Sequence, residues 1–212
     1  MRGPPDFESP HLLDLDSLAA ASDGPADWDG IFGRSRPLRI EVGVGNSPFL
    51  IDLALEEPEF NYLGIEYSLK RTLKFLKHVH EAGVERIRMA NRNSDLVFER
   101  FVAKESVDHI FVNFPDPWRK YRHRRKRFVR EERIRVICDL LLPGGGFSLR
   151  TDARKYAEEG LAALEGFAAL ENIGGNPGEF AERPVYSFET SYESRFKAEG
   201  LPIYYLEYRK RC

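Results

Sequence analysis

Asp116 lies between two prolines, directly after an apolar stretch that predicts a buried strand over Val107 to Asn113. Each proline fixes its own φ and pushes the preceding residue out of the helical region, so Pro115 and Pro117 hold the backbone around Asp116 extended. A carboxylate on a stiffened backbone at a strand end has few orientations. This arrangement suits a group that must meet a substrate atom.

A dense run of basic residues follows Asp116, with Trp118 and Tyr121 among them. The basic residues are Arg119, Lys120, Arg122, Arg124, Arg125, Lys126 and Arg127. Such cations can neutralise phosphates, and the aromatic rings can stack on bases. A charge run is often only a solvated face, but this one lies within the chain and directly behind a strand end. We therefore predict a loop that faces nucleic acid.

A glycine-rich turn contains Gly43 and Gly45 and joins a predicted strand to a predicted helix. Such a turn places backbone N–H groups around a ligand. Glu66 ends the next predicted strand, about twenty residues later, where a doubly wound fold places an acceptor for ribose hydroxyls. The alternative for Glu66 is an acid that interacts with a helix N-terminus.

Three more polar side chains fall at predicted strand ends, and each has two interpretations. Glu41 needs a partner if it is buried, which could be a cationic cofactor group or a lysine or backbone N–H of the protein. Asn93 could bind a base edge of a cofactor or cap the following helix, and Asp152 could cap a helix or bind substrate.

Strands and helices alternate along the chain, which predicts an α/β fold with a largely parallel sheet and a late hairpin. Strands are predicted over residues 38–42, 61–66, 87–90, 107–113, 147–152 and 201–208, and helices over 11–21, 49–56, 68–82, 94 onward, 129–142 and 153–164. Residues 142–146 should end a helix. We expect one catalytic domain, residues 37–212, and a partly flexible N-terminal arm, residues 1–36, anchored by Trp28, Ile31 and Phe32.

The chain of 212 residues has a formal net charge of −2, which hides an asymmetry. Residues 119–135 hold ten basic and two acidic side chains and so carry +8, which leaves −10 for the rest. This distribution would orient a polyanion toward the basic segment. Two cysteines suggest neither disulfides nor a metal site, and no apolar run approaches a membrane span, so we expect a cytoplasmic protein.

The sequence resembles the bacterial single-subunit tRNA (guanine-N7-)-methyltransferases. The resemblance rests on Glu41-Val42-Gly43-Val44-Gly45, Gly64-Ile65-Glu66, Asn113-Phe114-Pro115-Asp116-Pro117-Trp118-Arg119-Lys120, the basic run, Thr151-Asp152 and Thr190-Ser191-Tyr192-Glu193. It implies a Rossmann-like S-adenosylmethionine-dependent methyltransferase fold, with a seven-stranded, mostly parallel sheet and helices on both faces. The chain departs from the family pattern at Ser47, Asn93 and Tyr121.

The resemblance also implies roles for the site residues. The S-adenosyl-L-methionine site would contain Glu41, Gly43, Gly45, Glu66, Asn93 and Asp116. The tRNA substrate would bind Lys120, Asp152, Thr190, Ser191, Tyr192 and Glu193, and the basic run would contact it. From the chemistry of guanine N7, which has a lone pair and no proton, we further expect that Asp116 holds the target base and offsets the positive charge that appears on it, and does not act as a general base. We expect a monomer or homodimer without an obligatory protein partner.

Three other functions are compatible with parts of the pattern. A methyltransferase that acts on another RNA or on protein would share the cofactor site. A nicotinamide-dependent oxidoreductase would share the glycine turn and Glu66, but it would not explain the basic run. A non-catalytic RNA-binding module would explain the basic run, but not the acids at the strand ends.

Overall fold

The computed structural model describes residues 9–118 and 120–212, apart from the side chains of Tyr121 and Arg124. Its strands are β1 Leu38–Val42, β2 Asn61–Ile65, β3 Ile87–Ala90, β4 Val107–Asn113, β5 Leu141–Thr151, β6 Leu170–Asn172 and β7 Tyr204–Lys210. They form one seven-stranded sheet in the order β3-β2-β1-β4-β5-β7-β6. The first five strands are parallel, and β7 is antiparallel to both β5 and β6. The predicted sheet is confirmed.

Helices cover both faces of this sheet, as predicted. They are α1 Leu15–Ala21, α2 Trp28–Phe32, α3 Phe49–Glu56, α4 Leu69–Glu81, α5 Ser94–Phe101, α6 Glu131–Leu140, α7 Arg154–Glu165 and α8 Ser191–Ala198, with a 3-10 helix over Tyr121–Lys126. Successive side chains of a strand point to opposite faces. In β4, Phe111 therefore joins the core beneath α3 and α4, whereas Ile110 and Val112 join the core beneath α5, α6 and α7.

The largest difference from the sequence prediction concerns residues 142–146. They belong to β5, which begins directly after α6 instead of at residue 147. Glycine allows this because a Cβ on Gly146 would lie 2.2 Å from Nδ1 of the buried His109 ring. Residues 142–146 therefore have a composition typical of the end of a helix, but in the structure they form part of β5, which pairs with β4.

The described residues before β1 include several that pack against the edge of the sheet formed by β3 and against α5. The Trp28 indole is buried, and its Nε1 donates a hydrogen bond to the Phe101 carbonyl at 3.1 Å. Leu12 forms a parallel bridge with Met89 of β3, so the first helix begins at Leu15 and not at residue 11. No helix in the described part of the chain is long and apolar enough to cross a membrane.

A buried chain of polar groups crosses three strands of the sheet. Ser148 of β5 donates its hydroxyl hydrogen to Glu207 of β7 and lies 2.7 Å from His109 Nε2 of β4. Because the hydroxyl hydrogen is already used, His109 must donate from Nε2. Burial lowers the pKa of His109 well below its ordinary value and raises the pKa of Glu207 to about 7.

This chain of groups predicts a pH-dependent stability. A carboxyl whose folded pKa is raised from 4.5 to about 7 stabilises the fold while it is protonated, and its contribution is lost as the pH rises through that range. Glu207→Gln should therefore gain stability relative to the unsubstituted protein between pH 4.5 and 8, by up to about 3 kcal/mol. Urea unfolding at several pH values measures the difference, and a difference that does not change with pH would contradict this assignment.

Candidate functional site

The carboxyl ends of the parallel strands enclose a cavity of about 330 Å³. The loops after β1, β2, β3 and β4 line it, together with two residues at the start of α8. The sequence-predicted residues that it brings together are Glu41, Gly43, Gly45, Glu66, Asn93, Asp116, Thr190 and Tyr192. The cavity therefore collects all six of the predicted cofactor-side residues and two of the substrate-side residues.

The glycine turn forms one wall of this cavity because its backbone is left-handed at two positions. Gly43 has a φ of +78° and Gly45 a φ of +57°, a region that side chains other than glycine rarely adopt. Gly43 N–H donates to the Ile65 carbonyl at 2.7 Å, which fixes the turn against the end of β2. A Cβ on Gly43 would meet no atom within 4 Å, so the requirement for glycine there is conformational.

Glu66 ties the glycine turn to the start of α4. One carboxylate oxygen accepts from Gly45 N–H at 3.1 Å, and the other accepts from the N–H of Ser68, the N-cap of α4, at 2.8 Å. The interpretation of Glu66 as an acid beside a helix N-terminus is therefore confirmed. Binding of ribose hydroxyls stays a prediction, and it is compatible with this geometry because each oxygen retains a second lone pair.

Glu41 is a charged group of the cavity with an unsatisfied hydrogen-bond acceptor. It is fully buried, and one oxygen accepts from Asn113 Nδ2 at 2.9 Å. The other, Oε2, has no hydrogen-bond partner among the described residues. Burial raises the pKa of Glu41 to about 7, although the Asn113 amide and the charge of Arg150 act in the opposite direction. A cationic or N–H-bearing ligand group would satisfy this oxygen.

Asn113 was not singled out from the sequence, yet it orients Glu41 and lines the cavity itself. A polar residue at the end of a buried strand was the available signal. Asn93 also lines the cavity, and its side chain accepts from Asp95 N–H at 2.8 Å as the N-cap of α5. The capping interpretation of Asn93 is confirmed, and its cofactor contact stays a prediction.

Asp116 is exposed at the rim of the cavity. Two residues with positive φ flank it, Phe114 at +49° and Trp118 at +43°. Such values are uncommon for bulky residues and cluster at functional sites. The Phe114 N–H donates to the Arg150 carbonyl at 2.8 Å, so this turn is fixed to the end of β5. The restricted backbone expected around Asp116 is present, but it depends on these neighbours as well as on the prolines.

The segment from Thr190 to Glu193 presents only alternate residues to the cavity. Thr190 is buried, and its hydroxyl caps α8 by accepting from Glu193 N–H at 3.0 Å. The Tyr192 side chain is 48% exposed and lines the cavity beside Thr190, whereas Ser191 does not line it. Glu193 is buried away from the cavity in an ion pair with Arg150 at 2.6 Å.

Two other predicted substrate residues lie outside the cavity. Lys120 is exposed beside the 3-10 helix, and Asp152 lies in the loop after β5. The helix-capping alternative for Asp152 is wrong, because the N-cap of α7 is Ala153 and no side chain caps that end. Substrate binding by Asp152 stays a prediction.

The basic run divides into an exposed part and an anchor. Arg122, Arg125 and Lys126 are exposed, and the Lys126 ammonium lies 4.8 Å from the centre of the Trp118 ring. Arg119 and the Arg124 side chain lie outside the described residues. Arg127 differs from the expected phosphate contact because it is buried, pairs with Glu159, and donates to the Pro117 carbonyl at 2.8 Å. Arg127 therefore holds the loop in place.

Comparison with known proteins assigns this chain to a family. Residues 35–206 match the protein family described as "Putative methyltransferase". A tRNA (guanine-N(7)-)-methyltransferase from Leifsonia xyli is 36% identical over 186 residues, which span 88% of this chain and 82% of the relative. A tRNA (guanine-N(7)-)-methyltransferase from Syntrophotalea carbinolica is 32% identical over 97% of this chain and 86% of the relative.

The fold has solved counterparts. A SAM-dependent O-methyltransferase from Thermotoga maritima superimposes with a TM-score of 0.54 and 18% identity, over 94% of this chain and 65% of that structure. At this identity the likeness establishes only the Rossmann-like methyltransferase fold. The sequence matches, which extend over most of the chain, show that it belongs to this methyltransferase family, whose matched relatives include tRNA (guanine-N(7)-)-methyltransferases.

Proposed function

We propose that the protein transfers a methyl group from S-adenosyl-L-methionine to N7 of a guanine in the variable loop of tRNA. One observation carries the proposal: the cavity lined by the glycine turn and by Glu41 opens beside Asp116, and the exposed cations of the basic loop follow Asp116 along the chain. A site for a small ligand and a surface for a polyanion therefore adjoin. The names of the matched relatives, tRNA (guanine-N(7)-)-methyltransferases, state methyl transfer to guanine N7 of tRNA and so support the proposal.

The residues present fit S-adenosylmethionine. Its amino acid part carries an ammonium group, which the unpaired Oε2 of buried Glu41 could accept. The left-handed glycine turn leaves its backbone accessible, and Glu66 retains acceptor capacity for the ribose hydroxyls. When bound, the cofactor supplies an electrophilic methyl group on a sulfonium centre.

The reaction requires little from the protein except placement of the two reacting atoms. Guanine N7 has a lone pair and no proton, so its attack requires no general base. Alignment of the two reacting atoms alone is worth several kcal/mol. The purine becomes positively charged as the methyl group arrives, and the Asp116 carboxylate at the cavity rim would hold the base and offset that charge.

The test of this function is transfer of labelled methyl from S-adenosylmethionine to unmodified tRNA, followed by nucleoside analysis. We expect label in 7-methylguanosine, and a loss of kcat of about a hundredfold in Asp116→Asn, because the substitution removes the charge and keeps the shape. Asp139→Asn is the matched control, since Asp139 pairs with Lys104 at the carboxyl end of α6 and does not line the cavity.

Three results would contradict the proposal. Label in another nucleoside would reassign the target, and label only in protein would reassign the substrate class. The third result, full activity of Asp116→Asn, would leave the function standing and contradict only the part of the proposal that assigns a role to Asp116.

Glu41 makes cofactor binding depend on pH. Its pKa of about 7 means that its carboxylate is ionised at pH 8 and mostly protonated at pH 6. S-Adenosylhomocysteine, which carries the same amino acid part, should therefore bind more tightly at pH 8 than at pH 6. Glu41→Gln should weaken binding about tenfold or more at pH 8 and flatten the pH dependence. Isothermal calorimetry measures both, and equal dissociation constants at pH 8 would contradict the role of Glu41.

The exposed basic residues should act through phosphates. Lys120→Ala and Arg125→Ala should raise the KM for tRNA several-fold, and each should reduce the slope of log(kcat/KM) against log salt by about 1. Lys104→Ala is a control, because Lys104 is exposed in the loop before β4. This loop lies at the amino ends of the strands, whereas the cavity lies at their carboxyl ends. Weaker cofactor binding without a change in the salt slope would contradict this role.

A further inference from the structure

Arg150 at the end of β5 is a fully buried arginine whose side chain holds the segment that leads into α8. Its guanidinium donates to the Phe188 carbonyl at 2.6 Å and also to the Tyr186 carbonyl. It pairs with the Glu193 carboxylate at 2.6 Å, and both side chains are only 1% exposed. Residues 186–193 are thus fixed to β5 by three separate contacts from one side chain.

The backbone of the same residue holds the turn that carries Asp116. The Arg150 carbonyl accepts from Phe114 N–H, and Phe114 is the left-handed residue two positions before Asp116. The Phe114 ring lies 6.0 Å from the Tyr192 ring and 5.5 Å from the Phe196 ring, between centroids. Arg150 therefore joins the turn that carries Asp116 to the cavity wall that contains Thr190 and Tyr192.

Glu193 completes this connection instead of facing a ligand. Its second oxygen accepts from the Tyr205 hydroxyl at 2.7 Å and lies 3.1 Å from the Lys197 ammonium. It therefore has protein partners on both oxygens and does not line the cavity. A buried ion pair gives little net stability compared with apolar residues of similar volume, so stabilisation alone does not account for this pair.

We propose that Arg150 and Glu193 are positioning residues, which set the separation between the Asp116 turn and the wall formed by Thr190 and Tyr192. The inference rests on the proposed function, since that separation would determine how the target base meets the methyl donor. Displacement of a reacting group by about 1 Å can cost about a hundredfold in rate. The pair would act on methyl transfer without contact to the substrate.

The decisive variants are Arg150→Met, which removes the charge and the donors, and Arg150→Lys, which keeps a cation beside Glu193. Arg150→Met should lower kcat for tRNA methylation by about a hundredfold, and Arg150→Lys should recover at least tenfold of that loss. In Arg150→Lys, which keeps a cation that lowers the pKa of Glu41, the dissociation constant of S-adenosylhomocysteine should change less than threefold at pH 8.5.

Arg34→Met is the matched control. Arg34 also donates to two backbone carbonyls, those of Pro58 and Phe60, and to the Asn61 side chain. These contacts lie at the amino end of β2, away from the cavity. A purely structural role for Arg150 would make the two variants lose stability and activity in parallel. A positioning role lowers kcat only in the Arg150 variant when both are assayed below their melting temperatures.

Amide hydrogen exchange provides a readout that does not depend on the reaction. In Arg150→Met, exchange should rise in residues 186–193 and 114–118 and stay unchanged in β2, whereas Arg34→Met should not affect the first two segments. Glu193→Gln, which keeps the shape and loses the charge, gives the same comparison if Arg150→Met does not fold.

The outcomes separate the two proposals. No methylation by the unsubstituted protein, with the exchange pattern as expected, would reject the proposed function and leave the connection between the two walls standing. Normal kcat in Arg150→Met, or no recovery in Arg150→Lys despite normal folding, would reject the positioning role.

Discussion

The burial of one carboxylate at the end of β1 is the constraint on which the site depends. β1 is hydrogen-bonded to β2 on one side and to β4 on the other, and Glu41 is fully buried where these strands meet the cavity. Only one of its oxygens has a partner among the described residues. The protein alone leaves this charge incompletely compensated, and a bound cation would complete it.

Polar contacts between the ends of different strands hold the loops around this carboxylate in position. Glu66 joins the glycine turn to α4, and the Arg150 carbonyl joins the Asp116 turn to β5. Gly43 and Gly45 adopt the left-handed backbone without strain, whereas Phe114 is held in it by the contact with the Arg150 carbonyl. The cavity is thus preorganised by bonds between loops that are distant in sequence, which is what catalysis by placement requires.

Much of this arrangement could be predicted from local sequence patterns. The bounds of β1, β3 and β4 follow from runs of apolar residues, and the cavity edge follows from polar residues at the strand ends. The burial of Arg127 and Glu193 could not be predicted, because their partners lie 32 and 43 residues away along the chain. A charged residue next to exposed ones looks the same in sequence whether it binds a substrate or holds a loop.

The order of strands in the sheet bears on how the protein is made. β7 lies between β5 and β6, and it comes after both in the chain. Its Tyr205 hydroxyl is one of the groups that hold Glu193. The half of the sheet that carries the glycine turn can therefore pair as it leaves the ribosome, but the wall with Thr190 and Tyr192 must wait for this later strand. A nascent chain would therefore form the glycine turn before the wall that contains Thr190 and Tyr192.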